Sequence, residues 1–145
     1  DAASQDVRGA ALFLKKGSAK VGVTGFCMGG ALTLLALNFV PELDAGAVWY
    51  GAPPLEYLDP AKIKVPVMGH WATQDQFFAI ETIDALEAKL REGGVSLECH
   101  RYLAHHAFAN ETAVGPGRIA TTQYDPAWAQ LAWDRTMRFF GRTLG

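Results

Sequence analysis

Clusters of Lys or Arg are missing from this chain: 13 basic and 15 acidic side chains are interspersed, for a formal net charge of −2. Such a balance offers a phosphate backbone nothing to hold, so nucleic acid is not an expected partner. Long apolar runs are missing too. The longest, Ala31 to Val40, is broken by Thr33 and Asn38 and is too short to span a bilayer, so a membrane is not an expected partner either. Cysteine is scarce, with only Cys27 and Cys99. One sits in a glycine-bracketed turn and the other in a strand-like alternation, which predicts two reduced thiols and makes the cytoplasm the expected compartment. The opening Asp1-Ala2-Ala3-Ser4-Gln5-Asp6 has neither the basic nor the apolar region of a secretory signal, and it reads as a cut or processed terminus.

What is present is half hydrophobic and only 19% charged over 145 residues, the composition of one globular domain, residues 1–145, with a real core. Val7, Ala10, Ala11 and Leu14 share helical spacing, with Gly17 placed to end that helix. Lys20 to Thr24 reads as a strand, Met28 to about Phe39 as a helix closed before Pro41, and Ala45 to Tyr50 as a strand buried on both faces. Val65 to Trp71 is a further strand. Ile80, Ile83, Leu86 and Leu90 form a helical stripe ended by Gly93-Gly94, and Val95, Leu97 and Cys99 alternate as in a half-exposed strand near a sheet edge. Ala104 to Gln123 is loop-like. A last helix opens at Asp125-Pro126, with Asp125 as its cap and Pro126 in the first position. Strands alternating with helices predict an α/β fold, a three-layer sandwich around a parallel sheet.

In open parallel sheets, functional side chains gather at the carboxyl ends of the strands. The first strand runs into Gly25-Phe26-Cys27-Met28-Gly29, the pattern of a nucleophile elbow with cysteine in the nucleophile position. Glycines two before and two after the nucleophile are expected where a turn this sharp leaves no room for side chains. The helix start beneath it offers backbone N–H groups to an oxyanion, with Met28 supplying one donor. The third strand leads to Asp75, which could orient a histidine or simply cap the next helix. The fourth leads to His105 and His106. Nucleophile, acid and histidine in that chain order point to acyl transfer to a thiol followed by hydrolysis. Adjacent His105 and His106 diverge and have no third ligand spaced to join them, so no metal site is predicted and the chemistry calls for no cofactor. Cys99 reads as core, His70 as packing or pocket lining, and Trp128, Trp133, Phe139 and Phe140 as core anchors.

The motifs Gly25 to Gly30 (G-F-C-M-G-G), Tyr50-Gly51, Asp75, His106-Ala107-Phe108-Ala109-Asn110 and the closing Tyr124-Asp125-Pro126-Ala127 segment together resemble the dienelactone hydrolases. That resemblance implies an α/β-hydrolase fold and a Cys27–His106–Asp75 triad cleaving small lactone or ester bonds, with His105 as the alternative histidine. It further implies that Tyr50, Phe108 and Asn110 face the substrate; Trp71, just before the acid's loop, is a candidate pocket wall. Members of the family carry an arginine four positions after the histidine to hold a substrate carboxylate. This chain has Asn110 there, which keeps a broader carboxylesterase acting on neutral substrates as an alternative. The family's domain also begins with strands that precede the helix at Ala2, so the resemblance places this chain in its C-terminal portion. A truncated, catalytically poor module is the corresponding alternative.

Overall fold

The computed structural model describes residues 1–145. Four helices, α1 (Ala2–Leu14), α2 (Met28–Phe39), α3 (Ile80–Glu92) and α4 (Pro126–Leu144), alternate with four strands, β1 (Gly22–Phe26), β2 (Ala45–Trp49), β3 (Val67–Ala72) and β4 (Leu97–Tyr102). Two short 3-10 turns, Leu55–Tyr57 and Pro60–Lys62, lie between β2 and β3. The strands form one parallel sheet in the order β1-β2-β3-β4. Every residue of β2 and β3 is buried, as strands covered on both faces must be. β4, at an edge, is mostly half-buried.

Side-chain alternation divides the core in two. Val48, Val67 and Trp71 point to the face covered by Leu34 and Leu37 of α2 and by Ile83, Leu86 and Leu90 of α3, with α1 packed on α2. Ala45, Ala47, Met68 and Trp49 point to the opposite face, under Ala132 and Phe139 of α4. Three layers result. No helix is long and apolar enough to cross a membrane.

Helix ends follow local chemistry. The Asp1 carboxylate accepts the Ser4 N–H (2.8 Å) to start α1, and Asp125 accepts the Trp128 N–H (3.1 Å) with Pro126 at the first position of α4. α2 ends as Val40 turns extended before Pro41. α3 ends at Gly93, followed by Gly94 at φ 83°. α1 stops at Leu14, three residues short of Gly17, on a capping residue, Lys15, that stays in the right-handed region.

Three strands begin two residues later than the sequence predicts, β4 at Leu97 rather than Val95 among them. Val21 gives its N–H to the Asp44 carboxylate (2.9 Å) instead of to a neighbouring strand, so β1 starts at Gly22 and runs on through Gly25 and Phe26, opposite Val48 and Trp49. β3 starts at Val67, past Pro66, which has no N–H to contribute to the ladder.

Candidate active site

β1 ends at Phe26, and Cys27 makes the turn into α2 in one residue, at φ 57° and ψ −117°. This is a backbone conformation L residues rarely hold, and it persists only where surrounding contacts impose it. Those contacts are short and made by main chain. Cys27 donates its N–H to the Trp49 carbonyl (3.0 Å), and its own carbonyl accepts from Gly30 (2.9 Å) and Ala31 (3.2 Å). A Cβ on Gly25 would stand 2.1 Å from the Gly29 carbonyl oxygen, and one on Gly51 would stand 2.0 Å from the Cys27 carbonyl oxygen. Gly29, by contrast, has nothing within 4 Å of its Cβ position. Glycine is needed on both sides of the nucleophile, but not two residues after it, as the sequence reading had it: a Cβ on Gly30 would stand 2.6 Å from the Trp49 carbonyl oxygen, so the close approach needs Gly25, Gly30 and Gly51, and Gly29 contributes only its carbonyl.

Asp75 and His106 come from the loops after β3 and β4. His106 Nε2 lies 3.1 Å from Cys27 Sγ, and its Nδ1 lies 2.7 Å from Asp75 Oδ2. Asp75 and His106 are 7% and 4% exposed, so both are shielded from water, while Cys27 is half-buried. The second Asp75 oxygen, Oδ1, accepts the N–H groups of Phe77 (2.7 Å) and Phe78 (2.9 Å). Asp75 thus meets the histidine and also caps a segment, but that segment is this turn and not α3, which starts at Ile80 without a side-chain cap. The His106 ring is held between Phe77 (centroids 4.7 Å) and Tyr50 (5.2 Å, edge-on). Its carbonyl accepts from Gln123 N–H (3.2 Å), which ties the returning loop to the histidine. His105 meets neither Cys27 nor Asp75, and its buried Nδ1 has no partner.

Two open cavities flank Cys27. One, of about 380 Å³, is walled by His106, Phe77, Asn110, Arg118, Ile119 and Thr122 among others. The second, of about 440 Å³, is walled by Phe26, Tyr50, Ala107, Ala109 and Asn110. Tyr50 and Asn110 thus lie beside the thiol. Burial pushes the Tyr50 phenol well above its ordinary value, against the opposing pull of the Ala109 backbone N–H. Trp71 and Phe108 do not line either cavity. Trp71 is buried in the α2–α3 face, its ring over Gly69 and its indole N–H donating to the Gly51 carbonyl (3.2 Å). Phe108 is fully buried among Trp49, Tyr50 and Tyr102. Period-2 alternation decides Trp71, since it points to the same side as Val67 and away from the strand ends. Met28, the first residue of α2, has its N–H at a helix position that lacks an intrahelical acceptor.

Sequence reasoning missed Phe77, Arg118, Ile119 and Thr122. Only Phe77 had a signal, as an apolar residue shortly after the strand-end acid. No group of three or more His, Cys, Asp or Glu side chains is assembled that could hold a metal ion. Cys99 is free, and burial together with a hydrogen bond to Glu87 pushes its thiol far up.

A parallel sheet with helices on both faces, whose strand ends deliver thiol, carboxylate and imidazole in that chain order, is the architecture of the α/β hydrolases. The chain belongs to the dienelactone hydrolase family, which it matches over residues 1–144. It is 37% identical over 127 residues to Protein usf of Aquifex pyrophilus, covering 86% of this chain and 52% of that one. It is 32% identical over 123 residues to a protein of Aquifex aeolicus named "Putative carboxymethylenebutenolidase", covering 83% of this chain and 50% of that one. The chain therefore spans about half the length of the curated relatives it matches. Among solved structures, it superposes on the "Putative Dienelactone Hydrolase" of Klebsiella pneumoniae with a TM-score of 0.78 at 26% identity, covering 94% of this chain and 59% of that one.

Proposed function

We propose that the protein hydrolyses small lactone or ester bonds through Cys27, His106 and Asp75, by way of a thioester acyl-enzyme. The observation that carries this reading is the unbroken chain from thiol to carboxylate, 3.1 Å and 2.7 Å, at the mouth of two cavities. His106 Nε2 takes the thiol proton, and Sγ bonds to the substrate carbonyl carbon. The oxygen that becomes negative lies toward the Met28 N–H at the start of α2. Collapse breaks the ester C–O bond, and the leaving oxygen takes the proton from His106. In a lactone that oxygen stays attached to the acyl group. Water then gives a proton to His106 and adds to the thioester carbon, the C–S bond breaks, and the thiolate recovers its proton. The net reaction consumes one water and one ester bond. Asp75 keeps the imidazole in the tautomer that aims Nε2 at sulfur, and it stabilises the charged ring.

The test is alkylation of the protein with iodoacetamide, with the adduct mapped by peptide mass. Modification is expected at Cys27, accompanied by loss of ester turnover, with Cys99 unreacted. Turnover that survives Cys27→Ala removes the reading.

A further inference from the structure

The two cavities beside the thiol differ in what they present to a substrate. His106 lines the 380 Å³ cavity and not the 440 Å³ one. The leaving oxygen must reach His106 to take its proton, so the alcohol half of an ester lies in the first cavity and the acyl half toward the second. Phe77 walls the first cavity, and it also walls a third, of about 400 Å³, that neither Cys27 nor His106 lines.

This third cavity lies between the segment after β2 (Pro53, Pro54, Leu55) and the first turns of α3 (Thr82, Ala85). No charged side chain lines it, and its polar groups are largely spent. Pro53 and Pro54 have no N–H. Phe77 and Phe78 give theirs to Asp75 (2.7 and 2.9 Å), and the Thr82 hydroxyl donates to the Ala79 carbonyl (2.6 Å). The Pro54 carbonyl accepts from Tyr57 N–H (3.1 Å), and the Leu55 carbonyl from Leu58 N–H (3.1 Å) and Lys89 Nζ (2.5 Å). A polar group placed here would give up water without equivalent partners, whereas hydrocarbon gains by burial. The volume is that of a small-ligand site. Phe77 is 53% exposed while its backbone is pinned by Asp75, so its ring stands between the two cavities as a ridge and not as a closed partition.

We propose that this third cavity is the subsite for an apolar group on the alcohol side of the ester, which reaches it across Phe77 while Cys27 attacks the carbonyl carbon. In an open-chain ester that group is the alkyl chain of the alcohol. In a lactone it is the substituent on the ring carbon bonded to the leaving oxygen. The inference rests on the hydrolase reading above and names the substrate class of that site: esters of apolar alcohols.

The experiment lengthens each half of the ester separately on the full-length protein: ethyl, butyl and hexyl acetate in one series, ethyl acetate, butyrate and hexanoate in the other. In the alcohol series kcat/KM should rise roughly twofold to fourfold per methylene, the range for burying a CH₂ group. Ala85→Trp, at an exposed position of α3, fills the cavity and should flatten the alcohol series to within about twofold, while the acyl series keeps its own dependence on length. Ala88→Trp puts the same ring on the same helix outside the cavity and should leave the alcohol series as steep as in the parent. An alcohol series that is flat in the parent, or that stays steep in Ala85→Trp, overturns the proposal; so does loss of the acyl dependence instead. If no ester is turned over at all, the hydrolase reading fails on its own, and calorimetric titration with 1-hexanol still reads the cavity. Binding weakened tenfold or more by Ala85→Trp and not by Ala88→Trp sustains the subsite, whereas equal affinity, or no binding to the parent, overturns it.

Discussion

Asp75 divides its two carboxylate oxygens between a side chain and the backbone. Oδ2 meets His106, while Oδ1 ties down the backbone of Phe77 and Phe78, and Phe77 in turn packs on the His106 ring. One residue thus sets both the tautomer of the imidazole and the wall beside it. The two jobs separate by mutation. Asp75→Asn retains an oxygen for the turn but presents an N–H to Nδ1, which forces the wrong tautomer; kcat on an ester should fall roughly a thousandfold or more, with little change in stability. Asp75→Ala loses both, and the two stranded N–H groups should cost about 1–3 kcal/mol besides the activity. Steady-state kinetics and urea unfolding of the two variants check the division. Equal stability losses in both would place the role of Oδ1 elsewhere.

The β1–turn–α2 unit shows how an element is made by what a side chain would hit. Gly25 crosses so close to the Gly29 carbonyl that any Cβ meets backbone, which cannot move aside without opening the elbow. Gly25→Ala should cost more than about 3 kcal/mol and abolish activity. Gly29→Ala, on an open position of α2, should lie within about 1 kcal/mol of the parent and on the stabilising side, because Ala is the better helix former. Thermal unfolding of the pair distinguishes them, and equal losses would contradict the open space at Gly29. The elements themselves were legible in sequence because each leaves a period: the unbroken apolar run of β2, the stripe from Ile80 to Leu90, the Asp125-Pro126 opening of α4. Their edges were less so, because Val21 is diverted by a side chain 23 residues away and Pro66 has no N–H to give the ladder. The meeting of Cys27, Asp75 and His106 was legible because strand ends converge at one edge of a parallel sheet. The loop that carries Arg118 was not, since it is held by single backbone bonds, Gln123 to His106, Tyr124 to Ala113 and Asp125 to Phe108, which impose no repeat on the residues that make them.

At the scale of the whole molecule the two faces of the sheet differ in kind. The α2–α3 face is closed by apolar packing, aliphatic apart from Trp71 and Phe78, whereas the α4 face holds a buried polar group at its centre, His70 of β3. Thr136 Oγ1 donates to the Ala132 carbonyl (2.8 Å) and so accepts from His70 Nε2 (2.7 Å); Nδ1 therefore accepts from the Tyr102 hydroxyl (2.8 Å), which in turn accepts from Arg135 Nη1 (3.2 Å). Every hydrogen-bonding site of the neutral ring is used, and a second ring proton would point at a donor. Burial first, then the His100 ring and the Arg135 charge, pull its pKa down to about 3 from its usual 6.5. Unfolded, the same imidazole takes a proton near pH 6.5. Between about pH 6.5 and pH 3 the unfolded chain therefore binds more protons than the folded one, so stability rises with pH across this window and is lost as pH falls through it. The contribution has a slope of at most about 1.4 kcal/mol per pH unit and is fully present above pH 6.5. Several carboxylates titrate in the same range, so the test is a difference. His70→Gln keeps a donor and an acceptor without the titration, and its stability relative to the parent should improve steadily from pH 7 to pH 4. Parallel stability curves for the two proteins would show that His70 takes up its proton without unfolding the α4 face.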